Sequence, residues 1–202
     1  MTPNSSHLLL ILVTATIVLA LGRAWRVALL ALLVHYAAVG GLAIEVGSAT
    51  WGGLHILTGS LVCLVLFLTV RRRPASARLQ ARETVSRQQA SQLVFRLAAA
   101  GLAGIGVFGT SIPGRFPSLP PELVLASTWL MTIGLVIVLV AQDRLWAGMG
   151  VLTAQSGFAT LYTILDSRLM TTGILAASGL VLALVVAIAV TPVNERQLLD
   201  NT

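Results

Sequence analysis

The feature that most constrains this chain is a set of long apolar runs separated by short charged stretches. The clearest case lies between residues 129 and 190, where two apolar helices turn at 142–144 and a third follows a polar turn at 166–168. A helix needs about 20 mostly apolar residues to cross a bilayer. This stretch therefore predicts three transmembrane helices joined by tight turns.

The composition of the whole chain extends this interpretation. The 202 residues are 56% hydrophobic and 10% charged, with a mean hydropathy of +0.91, whereas soluble domains carry about 25% charged residues. The sequence predicts an all-α polytopic membrane protein. No segment is large enough to form a soluble catalytic domain. The arginines that give the chain its net charge of +6 lie mainly in the loops that flank the apolar runs, so nucleic acid is not an expected partner.

The apolar runs predict about seven transmembrane helices. Three form a first membrane unit over 1–70, at about 5–22, 27–45 and 51–70. A basic linker or surface helix covers 71–92, and its arginine-rich face would suit anionic lipid head groups. A fourth span covers 93–112, and a proline-rich loop covers 113–122. A second unit of three spans, with a short tail, covers 123–202. Without a basic residue before the first apolar run, a cleaved signal peptide is not expected.

The arginines predict an orientation. Ten of the thirteen lie in the connections after spans one, three and five or in the C-terminal tail, two lie on the opposite side, and Arg96 lies within span four. Because basic residues favour the cytoplasmic side, the N-terminus is expected outside and the C-terminus inside, in a bacterial or archaeal cell (inner) membrane. The four tryptophans lie near predicted span ends, as an interfacial aromatic belt would require; they are Trp25, Trp51, Trp129 and Trp146.

The chain contains a faint internal repeat. A shift of 121 residues superimposes Arg23 on Arg144, Trp25 on Trp146, and Glu45 on Asp166. Spans one and five have the same direction, so the repeat would consist of two parallel three-helix units, as in some transporters. Span four is the additional helix that makes this possible. It is rich in small residues, including Gly101 and Gly104, which predicts close packing against another helix.

The stretch 133–190 resembles a known family. Its charged turn at 142–145, the Gly148-Met149-Gly150 opening of the next helix and a polar position in mid-helix are similar to the K-type small subunit of respiratory complex I. They are also similar to component E of group 4 membrane-bound hydrogenases. The resemblance implies a membrane subunit beside larger antiporter-like subunits. It also implies a buried glutamate in a proton path, but this chain has Gln155 at the position where that glutamate is expected.

Four polar residues are the candidates for a proton path. His35 lies in the middle of span two, and ionisable groups inside spans indicate function by default. The alternative is a neutral imidazole that only bonds a neighbouring helix. The 121-residue shift places His35 on Ser156, beside Gln155. His55 is expected nearer the outer end of its span, at a different depth from His35, which argues against a haem between the two histidines. Asp143 and Arg144 are candidates for docking a partner subunit or for fixing helix ends.

No catalytic signature is present: the sequence has no Walker loop, GxSxG, HExxH or Cys-x-x-Cys motif. Cys63, the only cysteine, is expected to be a buried apolar residue. No cofactor or metal is predicted. The leading hypothesis is a non-catalytic membrane subunit of a multi-subunit, redox-driven ion-translocating complex. The alternatives are a stand-alone small transporter with substrate between the two repeats, and a purely structural subunit of another membrane assembly.

Overall fold

Every regular element in the described residues of this computed structural model is an α-helix. These residues are 3–22, 24–46, 48–72, 89–109, 119–166 and 168–191. The helices are α1 (Pro3–Leu21), α2 (Trp25–Glu45), α3 (Ala49–Arg71), α4 (Gln89–Gly109), α5 (Pro121–Val140), α6 (Arg144–Leu165) and α7 (Leu169–Val190). The all-α prediction is confirmed for this part of the chain. The predicted basic linker (from 73 to 88), most of the proline-rich loop (110–118) and the tail (192–202) lie outside the described residues.

Several helices are suited to a membrane. Five of those described are long and apolar enough to cross a bilayer, over Asn4–Leu21, Trp25–Glu45, Ala49–Arg71, Pro121–Val140 and Met170–Val190. In α4 the apolar part is shorter, Val94–Gly109. Helix α6 is not among the five because it carries a series of Thr, Gln and Ser side chains. Most of these side chains are buried against other helices rather than exposed.

Short connections make neighbouring helices antiparallel. Helices α1 and α2, α2 and α3, α5 and α6, and α6 and α7 are joined only by 22–24, 46–48, 141–143 and 166–168. Such connections force the helices they join to pack side by side. The most extensive contact is between α5 and α6. Helices α3 and α7, α1 and α5, and α2 and α6 also contact each other and close the bundle, while α4 packs on α5 and α1.

Glycines allow the closest of these helix contacts. A Cβ on Gly157 of α6 would lie 2.7 Å from Ser127 O and from Met131 N of α5, and one on Gly134 of α5 would lie 2.5 Å from Ala154 N of α6. Backbones approach this closely in membrane helices where small residues occupy the interface. Gly40, Gly52 and Gly59 have the same function between α2 and α3. The tight α5–α6 and α2–α3 pairs therefore depend on glycine.

The glycines predicted to pack helix α4 have less extensive contacts. Gly104 faces the Trp129 side chain, which would lie 3.8 Å from a Cβ added to this glycine. Gly101 is exposed, and a Cβ added to it would have no described atom within 4 Å. The only packing contact found for the pair within the described chain is therefore the one at Gly104. Helix α6 instead has the glycine pattern of a close helix pair, because Gly150 and Gly157, one heptad apart, both lie against α5.

The predicted interfacial position of Trp129 is wrong. Helix α5 begins at Pro121, a favourable first helical residue, so Trp129 lies well inside the helix and is 2% exposed. Its indole Nε1 donates a 2.8 Å hydrogen bond to Thr16 Oγ1 of α1. The sequence suggested a boundary because Trp129 opens a long apolar run after Ser127 and Thr128, although the second unit was expected from residue 123. This indole instead fastens α5 to α1 in the core.

Candidate functional site

Three helices meet at one buried hydroxyl, that of Ser156 on α6. His35 Nε2 of α2 lies 3.3 Å from Ser156 Oγ, and His55 Nε2 of α3 lies 3.1 Å from the same oxygen. His35 and Ser156 are 0% exposed, and His55 is 8% exposed. Three of the four residues predicted for a proton path therefore form one hydrogen-bonded cluster, named below the His–Ser–His cluster.

The two histidines are closer together than the sequence indicated. They were expected at different depths, with His55 near the outer end of its span. Helix α2 runs towards the turn at 46–48 and α3 runs away from it. The helical turn of α2 that carries His35 can therefore lie beside the helical turn of α3 that carries His55. Ser156 then lies opposite both rings. The sequence could identify each residue as polar and in a span, but it contained no information on this alignment.

The chemistry of the cluster follows from the capacities of its groups. A serine hydroxyl has one proton to donate and can accept two hydrogen bonds, while a neutral imidazole has one donating and one accepting nitrogen. Ser156 can therefore donate to one ring while it accepts from the other. Exchanging these two roles requires a change of tautomer in both rings and a rotation of the hydroxyl proton from one ring towards the other. The arrangement is suited to passing a proton from one imidazole to the other through a single oxygen.

Aromatic rings enclose the two histidines. The Tyr36 ring centroid lies 4.4 Å from that of His35 and 5.1 Å from that of His55, and Trp51 lies 5.6 Å from His55. Gly59 of α3 makes room for the tyrosine, since a Cβ there would overlap with the Tyr36 ring. Tyr36 and Gly59 thus hold α2 and α3 at the spacing that brings both rings to Ser156.

One buried polar atom beside the cluster, the hydroxyl oxygen of Tyr36, lacks a hydrogen-bond partner within the described chain. An unpaired buried polar group costs about 1–3 kcal/mol, and native proteins retain few of them. Bound water, an ion or a functional role commonly accounts for such a group.

Gln155, the fourth candidate for the path, has a different set of contacts. Its Nε2 donates to Leu175 O and to Ser178 Oγ of α7, both at 3.2 Å. Ser178 in turn donates to Leu175 O at 2.7 Å. The amide therefore joins α6 to α7. A carboxylate in its place would have no proton to donate to a carbonyl oxygen, so the amide suits this contact better than the glutamate of the resembling family.

The two docking candidates lie at the α5–α6 turn. Arg144 is exposed and donates from Nη1 to Ala189 O at 3.2 Å, which connects the start of α6 to the end of α7. Asp143 precedes α6 in extended backbone, and its carbonyl accepts from Ala147 N at 3.0 Å. These contacts agree with a role in fixing helix ends. Docking of a partner by Asp143 and Arg144 stays a prediction.

The remaining sequence expectations concern ordinary helix residues. Thr153, Thr160 and Thr163 each donate to the carbonyl four residues earlier, as threonines within helices commonly do. Cys63 is a buried free thiol, which confirms the prediction for it. In the described residues no three His, Cys, Asp or Glu side chains come close enough to hold a metal ion. Both Nε2 atoms that a haem would need are directed at Ser156.

Comparisons of the chain with protein families, with curated proteins and with solved structures give no match. The class of the protein therefore rests on its own architecture. It is an all-helical protein with several helices fit to cross a membrane, and it has a buried His–Ser–His cluster between three of them.

Proposed function

We propose that this chain is a non-catalytic integral membrane subunit of a multi-subunit, redox-driven ion-translocating complex of the complex I or group 4 hydrogenase type. The observation that carries the proposal is the His–Ser–His cluster. Histidine is the side chain whose ordinary titration range lies closest to neutral pH, and an ionisable group inside a span indicates a functional site by default. The transported ion is a proton.

The relay in this proposal consists of His35, Ser156 and His55. Gln155 serves as a bond between α6 and α7, so the absence of a carboxylate at this position leaves the relay intact. Two imidazoles on α2 and α3 take over the function that a glutamate has in the resembling family. The proton path then runs between the two halves of the chain, not along α6 alone.

The finer architecture belongs to the same proposal. All seven helices cross the membrane, with the N-terminus outside and the C-terminus in the cytoplasm of a bacterial or archaeal cell. The chain is a parallel duplication of a three-helix unit. In support, α1 contacts α5, α2 contacts α6, and α3 contacts α7, so each helix touches its counterpart, although α2 touches α5 as well. The bonded residues His35 and Ser156 are 121 positions apart, the shift that relates the two halves.

The partners in this proposal are larger antiporter-like membrane subunits. The charged turn of Asp143 and Arg144 and the exposed apolar face of α4 offer them a surface. The chain has no soluble domain, so the electron-transfer chemistry must belong to another subunit. This assignment rests on the resemblance of 133–190 to the K-type subunit and to hydrogenase component E.

The test is proton translocation by the assembled complex carrying His35→Ala. The expected result is loss of most proton transport, with the other subunits still co-purifying in mild detergent. Thr153→Val is the matched control: Thr153 is 0% exposed on the same face of α6, but it bonds only to its own helix. Unchanged pumping by His35→Ala in an assembled complex would remove the relay from the proposal.

The second candidate is a stand-alone small transporter with substrate between two parallel repeats. The pairing of α1 with α5, α2 with α6 and α3 with α7 favours it, because such a repeat places a site near its axis. Purification distinguishes the two. Recovery of the chain with hydrogenase-like or antiporter-like subunits supports the complex, whereas a stable homodimer with no other chain supports the transporter. If the chain is recovered in a complex of some other kind, and that complex functions normally with His35→Ala, the chain is a purely structural subunit.

A further inference from the structure

A small cavity lies beside the His–Ser–His cluster, between α2, α3, α6 and α7. Its lining includes Tyr36, Trp51, His55, Thr58, Gln155 and Thr172. The cavity has about 20 Å³ of space for the centre of a water molecule, and about 10–15 Å³ is enough to hold one water. All six have a hydroxyl, an amide or a ring nitrogen, and the other four lining residues are apolar: Leu54, Ala159, Leu175 and Ala176. The cavity is therefore partly polar, and it has room for about one water molecule.

The Tyr36 hydroxyl is a buried polar group beside the cavity that a water molecule would satisfy. Tyr36 is 2% exposed, it lines the cavity, and its hydroxyl oxygen has no partner within the described chain. A water molecule with polar neighbours satisfies such a group at little cost. Hydroxyl, amide and imidazole groups are hydrogen-bonding partners of water, and in this combination they do not form a strong site for a metal ion.

The cavity extends from the cluster mainly towards one end of the bundle, although Thr58 lies one turn beyond His55 in the other direction. Trp51 and Thr172 are near the beginnings of α3 and α7, so the cavity extends towards the end of the bundle that carries the turns at 46–48 and 166–168. This end is called the turn end below. The lining residues nearest this end, Trp51 and Thr172, are 8% and 7% exposed. This is the direction from which water would reach His55.

The other side of the cluster is closed by apolar side chains. Moving from the cluster towards the opposite end of the bundle, α2, α3 and α6 contribute side chains that are all 0% exposed: Leu32, Val62, Leu66, Met149 and Leu152. They belong to one continuous core. Protein interiors packed in this way have few voids larger than a water molecule. This layer is called the apolar seal.

We propose that the cavity is a hydrated half-channel that connects the His–Ser–His cluster to the turn end, while the apolar seal closes the opposite side. This inference rests on the proposed function, and in the proposed orientation the turn end faces the outside. The chain would then exchange protons with the external water only. Transfer to the cytoplasmic side would require a partner subunit or a movement of α2, α3 and α6 that opens the seal.

Silver-ion labelling of cysteines tests this access without depending on transport. Thr58, a cavity residue 7% exposed, is changed to cysteine in a Cys63→Ala background. The matched control is the natural Cys63, which is on the same helix and 8% exposed but does not line the cavity. Silver nitrate is added to sealed membrane vesicles of either orientation that contain the complete complex. After denaturation, maleimide labelling measures the thiols that have not reacted.

The expected result is reaction of the Thr58→Cys thiol at least about tenfold faster than Cys63, since the reactive thiolate is disfavoured in apolar surroundings. The reaction should occur only with silver added at the turn end. Thr172→Cys on α7, also 7% exposed and in the lining, should react from the same side and serves if Thr58→Cys fails to assemble. Equal rates for cavity and control thiols, or faster labelling from the opposite end, would overturn the half-channel.

The labelling result and the transport result are separable. One-sided labelling together with normal pumping by His35→Ala would retain the half-channel and remove the relay. Loss of pumping by His35→Ala, with no difference in labelling between Thr58→Cys and Cys63, would retain the relay and remove the half-channel.

Discussion

Replacing Gly157 by alanine should push α6 away from α5. The new Cβ would lie 2.7 Å from Ser127 O and Met131 N, and 2.8 Å from Leu130 Cβ. The first two are backbone atoms of α5, so no rotation of a side chain can relieve the overlap. Ordinary contact begins at 3.4 Å, so the two helices must separate by the difference between 3.4 and 2.7 Å, about 0.7 Å.

The cost of this separation can be bounded. Adding a methyl group to a well-packed interface costs about 1–3 kcal/mol, against which alanine gains up to about 1 kcal/mol of helix propensity over glycine. Gly101→Ala gains the same propensity, but its new Cβ would have no described atom within 4 Å. The difference between the two variants therefore isolates the packing cost. A difference of about 2 kcal/mol corresponds to about 4–8 °C in Tm for a chain of this size.

The measurement is thermal unfolding of the purified chain in mild detergent, followed by circular dichroism. Gly157→Ala should unfold at a lower temperature than the natural chain, and Gly101→Ala should unfold at the same temperature or slightly higher. Since Gly157 adjoins Ser156, the shift should also weaken the His–Ser–His cluster and reduce proton transport. The reasoning is refuted if Gly101→Ala is the more destabilised variant or if both keep the natural Tm.

Two further changes test other contacts. Trp129→Phe removes the hydrogen bond to Thr16 and should lower the free energy of unfolding by about 0.5–1.5 kcal/mol. The control is Trp146→Phe, at a half-buried indole for which no hydrogen bond is found in the described chain, and it should lower this free energy by less. The reverse order would contradict the core role of Trp129. Gln155→Glu loses both donor bonds to α7, so its Tm should fall by the equivalent of about 1–3 kcal/mol at neutral pH. The Tm of this variant should partly recover at low pH, where a protonated carboxyl regains one donor. The control Gln155→Leu should show no such recovery. A Gln155→Glu variant that is most stable at high pH would contradict this account.

Helix positions and burial were largely predictable from the amino-acid sequence. A run of about 20 apolar residues has to bond its own backbone in a bilayer, so helical structure follows from local composition. The back-bonding threonines followed from the same local rules, since a threonine within a helix can reach the carbonyl one turn earlier. Prediction was weaker for the surroundings of single residues. Trp129 opens an apolar run and was therefore assigned to the interface, whereas α5 begins at Pro121 and buries this residue in the core.

The tertiary structure decided which residues meet. His35, His55 and Ser156 were each identified from the sequence as polar groups within spans, but their convergence depends on how three helices are aligned along the bundle. Apolar side chains contribute similar free energy at many such alignments, so hydropathy does not select one. Glycines do favour one: Gly52 and Gly157 lie against neighbouring backbone and Gly59 lies against the Tyr36 ring, so a shifted alignment would place bulkier residues at these close contacts. The sequence by itself determined a bundle of membrane-suited helices with polar groups at mid-span, whereas close packing at glycines joined these groups into one cluster.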